Sequence, residues 1–326
     1  MSAEQTSPPL PYDGSVTTIK SDHRPASMPG RIWLYLREMY PLPSRLLVSA
    51  ILFFEIYFVL LLNYGITSFH IGVREAVGTW TVFSFLLVLR IADDLKDAET
   101  DARLFPHRVL PSGRVDKRDL YVLLGTVVTL ATVLNVAYMN NLIFFAVLFV
   151  YGTGMSMWFF AKSKIQPNLL LALLTHNPVM MILNLYVISY GVIAYDLDPF
   201  TWTTFLLAWT MYFPSLIWEV VRKVRAPSEE TAYVTYSSLW GYKQAAWFVL
   251  GLVWVDVLTN LSLVYAVSRL VMVPLAINVA WVTWTILRWI RRPESFKLRE
   301  KVDRYTYVVE SLMVIAVVLF LTVGYY

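Results

Sequence analysis

Long apolar stretches and short polar ones alternate along most of this chain. A helix needs roughly 20 mostly apolar residues to cross a bilayer. Nine stretches approach that template, near 46–66, 75–92, 120–138, 142–161, 168–194, 199–219, 245–264, 268–290 and 305–325. The pattern predicts an all-α polytopic membrane protein with nine transmembrane helices. Residues 1–30 carry Ser, Thr, Pro and scattered charges without an apolar run. They read as a disordered tail rather than a cleavable signal, ahead of one membrane-embedded domain over 31–326.

The polar segments test that count, because cytoplasmic loops collect Lys and Arg. With the N-terminus placed inside, all but Arg74 and Arg269 of the 27 Lys and Arg fall on the cytoplasmic side or at helix ends facing it. A wrong helix count would scramble that asymmetry. The two longest loops, 93–118 and 220–244, then face the cytoplasm, and long polar loops are where sites are usually built. The chain is expected to be an integral multi-pass protein, with membrane lipid as its surroundings and its working mouth toward the cytoplasm.

Composition agrees: 57% of residues are hydrophobic, 15% are charged, and mean hydropathy is +0.56. The formal charge of +4 is too small to suggest nucleic acid as a partner. With no cysteine, a disulfide framework, a thiolate metal site and a Cys nucleophile are all excluded. No internal repeat or soluble second domain is evident.

Candidate chemistry begins where the second stretch ends, in Arg90-Ile91-Ala92-Asp93-Asp94-Leu95-Lys96-Asp97-Ala98-Glu99-Thr100-Asp101. On a continuing helix Asp93, Asp97 and Asp101 recur every fourth residue and Asp94 lies three before Asp97, which makes one carboxylate face. Repulsion makes such a face unfavourable in a purely structural helix, whereas hard oxygen ligands for Mg²⁺ bridging to phosphate have this form. An acidic cap on a solvated loop, offset by Lys96 and Arg103, is the plainer alternative. A basic turn follows, Pro106-His107-Arg108-Val109-Leu110-Pro111-Ser112-Gly113-Arg114, able to offer guanidinium forks to a diphosphate.

Together these segments resemble the UbiA superfamily of intramembrane prenyltransferases, whose signature is an Asn-Asp-x-x-Asp-x-x-x-Asp run followed by Arg-Pro-Leu-Pro-Ser-Gly-Arg. Asp93 replaces the usual Asn, and Arg108 to Arg114 supply the second segment. The resemblance implies a nine-helix bundle with both acidic motifs at its cytoplasmic mouth, Mg²⁺ as cofactor and an isoprenyl diphosphate as substrate. It implies metal ligands among Asp93, Asp94, Asp97 and Asp101, with diphosphate binding by Arg108 and Arg114.

The family's second motif, Asp-x-x-x-Asp after the sixth helix, is altered. Glu219 stands for its first acid and Lys223 occupies the place of the second. Either Glu229 or Glu230 turns back to the site, or Arg222, Lys223 and Arg225 bind diphosphate directly. Positive-inside anchoring is the plain alternative for these cations, but it leaves Glu219 unexplained. Lys162 and Lys164 match a lysine position of the family and could equally be anchors.

These residues imply that the allylic C–O bond breaks while its leaving diphosphate is neutralised at Asp94, Asp97, Asp101 and Glu219. Capture of the cation by its own chain, as in the terpene cyclase branch, is the first expectation, with farnesyl diphosphate as a guess at the substrate. Asp93-Asp94-x-x-Asp97, the altered second motif and the lack of an evident acceptor-activating base point that way. Transfer to an aromatic, quinone-precursor or lipid acceptor is the alternative, and a non-enzymatic transporter or scaffold the minor one. Within the spans, Asn177 is the first candidate for the pocket, beside His176. Glu55, Asn184 and Asp256 read equally well as helix-packing groups.

Overall fold

Lipid offers no hydrogen-bond partner to the backbone, so apolar stretches must satisfy their peptide groups internally, as helices. The computed structural model describes residues 24–231 and 234–324, and no strand occurs among them. In chain order the helices are α1 (Met28–Met39), α2 (Leu42–Asn63), α3 (Val73–Lys96), α4 (Ala98–Leu104), α5 (Lys117–Tyr138), α6 (Leu142–Ser156), α7 (Lys162–Ile165) and α8 (Leu169–His176). They continue as α9 (Pro178–Ala194), α10 (Trp202–Thr210), α11 (Phe213–Val221), α12 (Tyr236–Trp240), α13 (Tyr242–Val267), α14 (Met272–Arg291) and α15 (Leu298–Val323).

Eight segments among the described residues are long and apolar enough to cross a membrane: α2, α3, α5, α8 with α9, α10 with α11, α13, Arg269–Arg291 and α15. The fourth predicted stretch instead gives α6, only 15 residues long. At about 1.5 Å per residue that is about 22 Å, short of the roughly 30 Å hydrocarbon layer. Two spanning segments are interrupted ahead of prolines that lack an amide donor, at Asn177 before Pro178 and at Met211–Tyr212 before Pro214.

The tail expected over 1–30 lies outside the described residues as far as residue 23. From Met28 the chain is helical, with Ser27 accepting the Gly30 amide as N-cap. Sequence periodicity gave no warning of α1, which is amphipathic and packs on α5. Its partners lie at Arg31, Tyr35 and Glu38, one helical face. Arg31 makes a fork to Asp119 at 2.7 and 2.8 Å, Tyr35 reaches Asp94 and Glu38 receives Arg114.

Packing is close. A Cβ on Gly152 of α6 would meet the Phe85 ring of α3 at 2.7 Å, so only glycine permits this approach. A large core runs through α2, α9, α13 and α15 around Tyr57, Tyr186, Tyr190 and Tyr305, and a smaller one joins α1, α3 and α5 around Tyr35, Phe83 and Ile91. The intramembrane acids are partnered: Glu55 lies against Glu310, and Asp256 accepts from Tyr305 (2.7 Å) and Asn260 (3.0 Å), tying α13 to α15.

Candidate active site

Helix α3 does not stop cleanly at its acidic end. The Asp97 amide bonds Asp93 O at 2.9 Å and the Asp101 amide bonds Asp97 O at 2.8 Å, so α4 continues the path with only a bend at Asp97. All four aspartates therefore sit at one end of α3, but their carboxylates part. Asp94 is buried, accepting from Tyr35 Oη at 2.7 Å and from Arg90 at 2.6 Å. Asp101 takes Arg108 at 2.7 Å, whose guanidinium lies 4.0 Å from the Phe105 ring centre. Asp93 takes Lys96 at 2.8 Å.

Asp97 makes no ion pair among the described residues. Burial pushes its carboxyl above the usual carboxylate range, Lys96 and Lys162 pull it back, and Asp93 and Asp101 push it further up. Burial, together with the Asp94 charge, raises the Tyr35 phenol as well, so Tyr35 stays a neutral donor.

The predicted basic residues divide. Arg108 borders the acids, and exposed Lys162 at the start of α7 acts on Asp97 through its charge. Arg114 is buried and turned away, forking Glu38 at 2.7 and 3.0 Å and reaching His107 O at 3.1 Å. It folds the basic turn onto α1, with Gly113 at φ 72° supplying the left-handed corner. Gly113 and Arg114 thus shape the turn that presents Arg108.

At the end of α11, Glu219 is held by both neighbouring cations, Arg222 at 2.6 Å and Lys223 at 2.9 Å. Glu229 and Glu230 do not turn back toward it. Glu229 accepts the Ala226 amide at 3.4 Å and Glu230 the Thr235 hydroxyl at 2.8 Å, each within its own loop. Arg225 is used there too, donating to Thr231 Oγ1 at 3.0 Å. Tyr233, farther along this loop, lies outside the described residues.

Sequence reasoning missed what joins the two acidic sites. After α6 the chain turns through Trp158, Phe159 and Phe160 with φ of 54°, 48° and 57°, a run that costs L-residues about 1–2 kcal/mol each. Strain of this kind clusters at functional sites. The turn sets the Trp158 ring under the Lys96 ammonium (4.9 Å) and against His176 (4.8 Å). His176 in turn feels the charges of Lys96, Asp93 and Glu219. The first acidic run and Glu219 thus both lie within electrostatic reach of His176. Asn177 follows His176, and its Oδ1 is buried with no partner.

Among the described residues no three Asp, Glu or His side chains converge as a ready metal cage. The donor chemistry nevertheless suits Mg²⁺, since Asp93, Asp97 and Asp101 are hard oxygen donors and Asp97, between the other two, lacks a cation in contact.

No protein-family model matches this chain, and no curated protein matches it. Among solved structures, digeranylgeranylglyceryl phosphate synthase in membranes is similar with a TM-score of 0.63, covering 89% of this chain and 98% of that one at 16% identity. The fold is UbiA-like. That neighbour is a UbiA-superfamily prenyltransferase, and at this identity the likeness carries the architecture alone.

Proposed function

We propose that the protein is a membrane enzyme that ionises an isoprenyl diphosphate at the acidic mouth and transfers the isoprenyl group to an acceptor. The observation that carries this reading is the Trp158 ring set beneath the Lys96 ammonium and against His176, which feels the charges of both Asp93 and Glu219. A charged head on a long apolar tail fits a mouth opening on a lipid-embedded bundle, with the mouth toward the cytoplasm as the distribution of Lys and Arg implies.

Arg108, Lys162, Arg222 and Lys223 bind the diphosphate oxygens, and Arg222 and Lys223 do so as they loosen from Glu219. Lys223 thus supplies positive charge where the family has a second acid. Mg²⁺, held by Asp93, Asp97, Asp101 and Asp94, would add neutralisation of the departing diphosphate when bound. Tyr35 and Arg90 fix the Asp94 carboxylate, and the Trp158–Phe160 turn walls the reacting carbon from water. The ring face of Trp158 offers electrostatic support to an allylic cation.

Transfer stands ahead of the cyclisation expected from sequence, because the fold neighbour is a prenyltransferase and buried polar atoms of Trp158, His176 and Asn177 lack partners. Cyclisation keeps one supporting feature, the Asp93-Asp94-x-x-Asp97 run. Incubating membranes with Mg²⁺ and geranyl, farnesyl or geranylgeranyl diphosphate, with and without acceptor lipids and phenols, tests the reading. Acceptor-dependent release of diphosphate supports transfer. A cyclic hydrocarbon formed without acceptor would mean cyclisation, and no turnover of any diphosphate would end both readings.

A further inference from the structure

His176 closes α8 just before the segment bends at Pro178. Its Nδ1 lies 3.0 Å from Thr175 Oγ1. The Thr175 hydroxyl has a single proton and donates it to Leu171 O at 2.7 Å. Thr175 therefore accepts at its oxygen from Nδ1–H, which assigns the neutral Nδ1–H tautomer. The lone pair of Nε2 is left open, and that atom is buried without a partner.

Two neighbours are in the same condition, Trp158 Nε1 and Asn177 Oδ1. A buried polar atom left unpaired costs about 1–3 kcal/mol, and each exception in a native fold asks for a cause. Trp158 Nε1 is a donor and His176 Nε2 an acceptor on two rings whose centres lie 4.8 Å apart, and Asn177 adds a second acceptor on the next residue. An isoprenoid tail satisfies none of them. A hydroxyl satisfies a donor and an acceptor at once.

We infer that Trp158, His176 and Asn177 form the binding site of a hydroxyl-bearing acceptor, and that His176 Nε2 takes the hydroxyl proton as the isoprenyl group is transferred. This rests on the transfer reading above. The acceptor oxygen forms a bond to C1 of the isoprenyl group while the bond from C1 to the diphosphate oxygen breaks, its electron pair leaving with the diphosphate. The acceptor proton moves to Nε2. The imidazolium, within reach of the charges of Lys96, Asp93 and Glu219, then returns it to water. No oxidant or reductant is needed.

The competing account is that His176 only fills space against Trp158 and Phe159. Membranes carrying wild type, His176→Gln, His176→Ala and His176→Phe, supplied with geranylgeranyl diphosphate and either a monoalkylglycerol phosphate or a 4-alkylphenol, separate the two. The expected result is an ether product from wild type and a kcat lower by about 10²-fold or more in the Gln and Phe variants, the usual contribution of a positioned base. Added imidazole should restore part of the rate in His176→Ala. The wild-type rate should fall on acidification as the His176 imidazole takes up a second proton, a limb absent from His176→Gln.

An active Phe variant, or a wild-type profile without that limb, would overturn the assignment of His176 and leave prenyl transfer standing. Cyclic hydrocarbon with no ether product from either probe would overturn both.

Discussion

Tyr35 donates its hydroxyl to Asp94 at 2.7 Å across 59 positions of sequence, joining a surface helix to the acidic end of a spanning one. Both partners are buried, so α1 acts as a brace that fixes one carboxylate of the mouth. Removing the hydroxyl leaves Asp94 with Arg90 alone. A hydrogen bond to a charged group contributes about 1.5–3 kcal/mol, so Tyr35→Phe should lower kcat/KM by about 10- to 100-fold, measured as diphosphate release in membranes. Unchanged kinetics would show that the brace does not reach the chemistry.

Arg114 and Arg108, six residues apart, should respond differently. Arg114→Ala breaks a buried forked pair with Glu38 and should destabilise by about 3–5 kcal/mol, seen as a lower thermal midpoint in detergent. Arg108→Ala should leave the midpoint near wild type and raise KM for the isoprenyl diphosphate by about tenfold or more. The reverse pattern would return Arg114 to the diphosphate site.

That contrast shows what was legible in sequence. Apolar runs gave the spans, because lipid forces helix on any long apolar segment, and the four-residue recurrence of Asp93, Asp97 and Asp101 gave the acidic end. α1 was illegible because its partners, Asp94, Arg114 and Asp119, are distant in sequence. The aromatic turn was hidden because Trp158-Phe159-Phe160 reads as membrane interface, and its left-handed backbone has no glycine signal. The prediction for Arg114 failed to separate binding from shaping, since an arginine in a basic turn looks alike in either duty.

Asp97 gives a pH prediction. Its carboxyl titrates above the ordinary carboxylate value, so between the two values the folded state binds more protons than the unfolded one and stability falls as pH rises. Above the folded value the ionised group is a constant penalty. Asp97→Asn should therefore unfold at a higher temperature than wild type at neutral pH and be inactive. Wild-type activity should fall on acidification before ordinary carboxylates protonate. A destabilised Asp97→Asn would contradict this account.

Lys223 sets apart the second site. Lys223→Ala frees one oxygen of Glu219 and removes a cation from the mouth, so KM for the diphosphate should rise by about tenfold with little change in kcat. Isotope-labelled substrate turned over in membranes at several diphosphate concentrations checks it, and a fall in kcat alone would assign Lys223 to the chemical step.

Isoprenyl diphosphate is proposed to be ionised at the acidic end of α3. Membranes bearing wild type or Asp97→Asn should be given Mg²⁺, labelled geranylgeranyl diphosphate and a monoalkylglycerol phosphate or phenol acceptor, and free diphosphate should be quantified with and without EDTA. Release by wild type that disappears with EDTA and in a folded Asp97→Asn is the expected result. Release that persists in Asp97→Asn, or none from wild type with any chain length, would contradict the account.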